Sequence, residues 1–466
     1  MLFNSYVFIF LFFPAIMALW WARRIGPRAR LTLLTIASYV FYGYWDYRFV
    51  AVMLTSTVID FISGERIDRS ASRGARRLWL AVSLAGNLGL LGFFKYAGLF
   101  AESVNTVFRW AHVGGTVPVL DIVLPVGISF YTFQSMSYTI DIYRGHVRPT
   151  GSFWRFAAYV SMFPQLVAGP IVRYADLEPQ LQDIPSRIDW DLFWRGMTLF
   201  VLGMAKKILI ADVIASRIDP PLSDYMALRF FGSWFCTLGY TAQLYFDFSG
   251  YSDMAVGLGS MLGFSFPQNF NSPYKAANVS DFWRRWHISL SSWLRDYLYV
   301  GLGGGRKGRM TTLRNLLVVM FLGGLWHGAA WTYVAWGLYH GVLLVVYHLF
   351  RAWGRAKMPI ALARALTFIC VVFGWAIFRS NSFAMFGHLA LALSGLRGLE
   401  AAVLPAVGGV TGCCLVAGAL AGCMVLPNTW QFNVSPRARN AVLLAGVFLV
   451  CVTRLVRESP FLYFQF

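Results

Sequence analysis

The hydrophobic positions of this chain fall in long runs rather than in the alternations of a protein that faces water on one side. Apolar runs occupy 6–22, 31–44, 49–62, 78–97, 194–215, 233–264, 313–350, 366–378, 385–393, 402–426 and 441–452. About 20 such residues cross a bilayer as a helix. The pattern therefore predicts an all-α polytopic membrane protein of about 11–13 helices, forming a single integral membrane domain over 1–466. The polar positions between the runs are short and basic. Arg23, Arg24, Arg28 and Arg30 follow the first run, and Arg66, Arg69, Arg73, Arg76 and Arg77 lie in the loop after the third. Basic loops stay in the cytoplasm. Both loops thus put the N-terminus outside, and the first run reads as a span because no positive segment precedes it as in a signal peptide.

Several runs are interrupted. Leu124-Pro125-Val126-Gly127-Ile128-Ser129-Phe130-Tyr131-Thr132-Phe133-Gln134-Ser135 is apolar but broken by Pro and Gly, and Phe163-Pro164-Gln165 and Ala168-Gly169-Pro170 repeat the device. Irregular backbone at membrane depth survives only where protein or a cavity satisfies it. These pieces read as broken or re-entrant segments around a central tunnel. Run 313–350 reads as one span with His327 at its middle, and run 233–264 as a bent span or a span with a re-entrant turn. The latter carries Asp247, Tyr251 and Asp253. Buried acids need partners, and Lys275, Arg284, Arg285 and Arg295 are the nearest cations downstream. Structural ion pairing is favoured over catalysis for both.

Composition supports this class and narrows it. Hydrophobic residues make up 58% and charged residues 13%, where soluble chains are about one quarter charged. The net charge of +19 sits in short loops with no basic arm, which excludes a nucleic-acid binder. The six cysteines all lie in apolar runs and read as small buried hydrophobes. No metal-ligand spacing is present.

Candidate chemistry rests on histidines. His327 lies in Gly323-Gly324-Leu325-Trp326-His327-Gly328-Ala329-Ala330-Trp331, where small neighbours let a backbone or substrate approach. Imidazole titrates near neutrality and can take a proton from a hydroxyl. A lone histidine can equally hydrogen-bond a neighbouring helix. His287 lies in a mixed Trp, Arg and Leu helix capped by Ser280, which also fits an interfacial anchor. His340 follows His327 by 13 residues. On one straight helix that is about 220° and about 20 Å away, which makes His340 structural and His287 the better companion.

Asp281-Phe282-Trp283-Arg284-Arg285-Trp286-His287-Ile288-Ser289-Leu290-Ser291, followed by Trp326-His327-Gly328, resembles the signature of the membrane-bound O-acyltransferase (MBOAT) superfamily. The blocks around Gln134, Gln165 and Asp247, Gly374-Trp375-Ala376-Ile377-Phe378-Arg379 and the Tyr463-Phe464-Gln465-Phe466 end point to the bacterial branch of alginate O-acetyltransferase membrane subunits, related to the D-alanyl transferases of teichoic acids. The resemblance spans nearly the whole chain. It implies His327 as the catalytic histidine and His287 as the second polar position. Trp326, Trp283, Ser289, Gln134, Asp247 and Tyr251 become candidate tunnel residues.

The resemblance further implies transfer of an acyl group, acetyl first, from a cytoplasmic donor such as acetyl-CoA or an acyl carrier. The acceptor would be hydroxyls of an exported polysaccharide beyond the inner membrane, with no bound cofactor or metal. It implies membrane lipid, a periplasmic SGNH-hydrolase-like acetyltransferase and the polysaccharide export machinery as partners, and no nucleic acid. His327 would act as general base or carry the acyl group covalently. His287, Ser289 or an arginine would orient the carbonyl or stabilise its oxyanion. D-alanyl transfer, or a non-catalytic transporter or flippase using His327 as a proton relay, are the alternatives. No internal repeat of the transporter type is found.

Overall fold

The computed structural model describes residues 1–354, 358–400, 409–432, 434–455 and 461–462. The Tyr463–Phe466 block, the first part of run 402–426 and part of the basic stretch after Trp353 lie outside them. Among the described residues the chain is all α-helix with no strand. Arg73–Trp110, Trp331–Trp353 and Ile360–Arg379 are long and apolar enough to cross a membrane, with mean hydropathies of 1.4, 1.4 and 2.1. Helix Trp331–Trp353 shows why. It buries Trp336, Gly337, His340, Gly341 and Leu344 on one face, while Leu338, Val342 and Val346 on the other face are exposed. A face turned to water would be polar there; this one suits lipid.

The chain forms two compact units, 1–200 with 254–267, and 201–253 with 268–466. In the first, Pro27–Gly43, Arg48–Arg69, Arg73–Leu91 and Ile128–Arg144 are the main helices. The expected breaks are present. Gly127, at φ 77°, precedes the helix Ile128–Arg144, and Met162 separates Phe153–Ser161 from the short helix Phe163–Leu166. Residues 98–110 continue the 38-residue run Arg73–Trp110. Trp20 and Trp21 donate their indole N–H groups to the carbonyls of Leu262 and Met261, at 3.0 and 3.1 Å.

Run 233–264 is one continuous helix, Phe230–Met261, of 32 residues, not a bent or re-entrant piece. Its acids are paired, but not to the expected downstream cations. Lys207 Nζ lies 2.6 Å from Asp247 and 2.8 Å from Asp212, and Lys206 Nζ lies 2.6 Å from Asp253. Both lysines come from the π-helical turn Lys206–Ala211. Lys275 instead donates to the carbonyl of Leu426, Arg285 pairs with Asp281, and Arg295 pairs with Asp296. The ion pairing expected of these acids is present; the partners were misplaced because they precede the acids by some forty residues.

Run 313–350 is not one span. Helix Arg309–His327 ends at His327, and Trp331–Trp353 returns antiparallel to it. His327 is thus the last residue of its helix rather than a mid-span residue. The two helices pack backbone to backbone at Gly324 and Gly337. A Cβ on Gly324 would collide with the Tyr333 carbonyl and the Gly337 backbone, and one on Gly337 with the Met320 carbonyl. Small residues allow this approach between helices where lipid offers no hydrophobic drive to associate. The straight-helix separation of His327 from His340 therefore fails: the chain turns back between them.

Candidate active site

His327 is buried at the end of its helix, 5% exposed. Gly328 follows, with no room for a side chain beside the Tyr333 ring. The imidazole is boxed by aromatic rings. Its centroid lies 5.0 Å from Trp326, 4.8 Å from Trp336 and 5.4 Å from Phe378, each close to perpendicular.

His287 sits where the Trp-rich helix breaks. Val279–Arg285 is capped by Asn278, whose side chain accepts from the Asp281 amide, rather than by Ser280. A second helix, Ile288–Trp293, then starts after His287, which is left-handed at φ 43° and ψ 57°. Such a conformation costs a non-glycine residue energy and clusters at functional sites. Asn269 is what supports it. Its carbonyl oxygen accepts from the Ser289 amide at 3.2 Å and from Ser289 Oγ at 2.9 Å, while its backbone carbonyl accepts from the Ile288 amide. A backbone amide only donates, so the atom facing it is Oδ1 of Asn269.

His287 Nδ1 lies 3.1 Å from that same oxygen and must carry the proton. In the neutral ring Nε2 is then the basic nitrogen. Outside the three long apolar helices, on this connection, burial pushes the imidazole down to about 3, so the neutral form prevails.

Trp326 joins the two histidines, 6.1 Å from His287 and 5.0 Å from His327. His327, His287, Trp326 and Ser289 are therefore brought together. Trp283 stands one ring further, 5.7 Å from Trp336. Asp247 is held in its lysine pair and also accepts from the Leu462 amide. Tyr251 packs 3.9 Å from Phe461. Gln134 belongs to the first unit, where it donates to the Tyr159 carbonyl at 2.9 Å.

Sequence reasoning missed Asn269, Trp336 and Phe378. Asn269 reads as loop, and no spacing ties it to His287. Trp336 lies in the apolar run 313–350, where nothing sets it apart from its neighbours. Phe378 lay inside the Gly374–Arg379 block, which was a usable signal.

The pattern that defines the family described as MBOAT, membrane-bound O-acyltransferase family, matches residues 144–387, a stretch containing both histidines. A Pseudomonas aeruginosa protein named "Probable alginate O-acetylase AlgI" is 44% identical over 391 residues, 82% of this chain and 72% of that protein. A Helicobacter pylori "Peptidoglycan O-acetyltransferase" is 36% identical over 437 residues, 86% of this chain and 81% of its own length. A Bacillus subtilis "Teichoic acid D-alanyltransferase" is 30% identical over 311 residues, 62% of this chain and 79% of its own length.

Proposed function

Since this chain belongs to the membrane-bound O-acyltransferase family, we propose that it transfers acetyl groups from a thioester donor, acetyl-CoA or an acyl carrier, to hydroxyls of an exported polysaccharide. The acetyl choice rests on similarity: the relatives named for O-acetylation share 36–44% of aligned residues and the D-alanyltransferase 30%.

The observation that carries the mechanism is the pairing of His327 and His287 across Trp326. The hydroxyl oxygen attacks the thioester carbonyl, a C–O bond forms and the C–S bond breaks. His327 takes the hydroxyl proton and returns it to the departing thiolate. General base catalysis of this kind contributes about 10²–10⁴-fold. His287, protonated at Nδ1 and bonded there to Asn269, presents a basic Nε2. It therefore orients the acceptor hydroxyl rather than donating to an oxyanion. The aromatic box of Trp326, Trp336 and Phe378 keeps water from the thioester.

The protein works in the inner membrane with its N-terminus outside, as the basic residues at 23–30 and 65–77 favour. The donor arrives from the cytoplasm. A periplasmic SGNH-hydrolase-like acetyltransferase supplies the hydroxyl that is acetylated here and, alongside the export machinery, passes the acetyl group on to the polymer. Product analysis tests this reading: polymer from a strain lacking this chain should be exported without its ester-linked acetyl groups. Unchanged acetylation would reject it.

A further inference from the structure

One cavity in the second unit is lined by neither His287 nor His327 and has no part in the mechanism above. It holds about 540 Å³. Leu202 and Phe246 form part of its wall, and Leu415, Ala419 and Leu426 form another part. The latter follows helix Gly409–Val425 and runs from Cys414 to Leu426, about 18 Å of helical rise. That is about half of a hydrocarbon core of ~30 Å, the depth that one acyl chain fills. Val410, Val425 and Leu426 on the same stretch are exposed, so the cavity opens on a face suited to lipid rather than to water. Walls of this kind reject a polysaccharide, whose hydroxyls would lose their hydrogen bonds there.

The polar end of the cavity is built on the connection that supports His287. Asn428 and Ser272 both lie in the lining. Asn428 donates to Ser272 Oγ at 3.2 Å and to the side-chain oxygen of Asn271 at 3.0 Å. Ser272 is left-handed at φ 46°, a conformation that persists only where its neighbours hold it. The Asn271 amide donates to the Arg285 carbonyl, and the Ile288 amide to the Asn269 carbonyl, each at 2.9 Å. Hydrogen bonds therefore tie this end of the cavity to the segment that carries His287. Charge at this end comes from lysine. Lys206 is neutralised by Asp253. Lys275 instead donates to the carbonyls of Leu426 and Val425, at 2.6 and 3.4 Å, and has no carboxylate partner among the described residues. An ammonium carries three donors, which leaves one for an anion beside Leu426.

We propose that this cavity binds one anionic phospholipid from the bilayer. One acyl chain lies along helix Gly409–Val425, the phosphate sits on Lys275, and the bound lipid holds the 269–275 connection in place.

The probe is phosphatidylglycerol. The full chain is placed in nanodiscs of phosphatidylcholine with and without it, and the lipid retained is read by native mass spectrometry. Wild type should keep one phosphatidylglycerol in preference to phosphatidylcholine. Lys275→Ala should lower that preference about fivefold, the share one cation supplies at a membrane surface, and Lys275→Arg should restore it. Gly418 lines the cavity, and a Cβ there meets nothing within 4 Å. Gly418→Leu therefore fills the groove without a clash and should release the lipid. Hydrogen exchange of the amides at 269–275 should slow with phosphatidylglycerol in wild type and not in Gly418→Leu. Equal retention of the two lipids by wild type, an unchanged preference in Lys275→Ala, or undiminished retention in Gly418→Leu would overturn the lipid site. Exchange at 269–275 that is the same with and without phosphatidylglycerol would overturn the lipid's hold on that connection.

Discussion

The side-chain oxygen of Asn269 lies 3.1 Å from Nδ1 of His287 and fixes which nitrogen of that ring is basic. The bond holds because the same oxygen also accepts from the Ser289 amide and hydroxyl, and reversing the Asn269 side chain would set its NH₂ against the Ser289 amide, donor against donor.

Removing that oxygen frees both the tautomer and the strained backbone at His287. Asn269→Ala should lower kcat by about an order of magnitude or more, within the range a general acid–base group supplies, with a smaller change in donor KM. Initial rates at matched protein amounts check this. Full kcat would mean that His287 needs no fixed tautomer.

His340 lies against Phe282, Trp283 and Trp336, fully buried. Truncating a buried ring of this size costs about 3–5 kcal/mol. His340→Ala should therefore lower the melting temperature in detergent markedly and reduce activity with it. The straight-helix argument from sequence gave the opposite expectation, a nearly silent substitution. A wild-type melting curve for this variant would restore that expectation.

The difference between the two expectations shows where sequence information ended. The membrane class was legible because apolar runs of bilayer length need no tertiary context. Pro125, Gly127 and Pro164 announced their breaks because proline and glycine act locally. The hairpin after His327 was hidden because Gly328, Ala329 and Ala330 are small and uncharged, so the hydropathy never drops there. Lys206 and Lys207 were legible as an interruption, but nothing local pairs them with acids at 247 and 253. His327 and His287 stood out through their motifs; Asn269 supports His287 from a loop whose role exists only in three dimensions.

Lys207 and Asp247 are both 2% exposed at the side chain. Breaking a buried pair by removing one partner costs about 3–5 kcal/mol, whereas replacing both with apolar groups is often neutral. Lys207→Met and Asp247→Leu should each lower Tm and folded yield, and the double variant should melt above either. A well-folded Asp247→Leu protein with no transferase activity would instead place Asp247 in the chemistry.

Orientation is open to direct chemistry. Arg24 and Ala71 lie in the two basic segments and are exposed. Arg24→Cys and Ala71→Cys, in a background with the six native cysteines replaced, should react with an impermeant thiol reagent only after the inner membrane is opened. Labelling in intact spheroplasts would reverse the topology.

The central claim is that His327 carries the proton in acyl transfer, and the most direct measurement is kcat for His327→Ala against wild type at matched levels of folded protein. The account predicts a loss of about 10²–10⁴-fold or complete loss per folded molecule, beyond whatever fall in melting temperature follows from truncating a buried ring. Near wild-type kcat in a folded His327→Ala protein would contradict it.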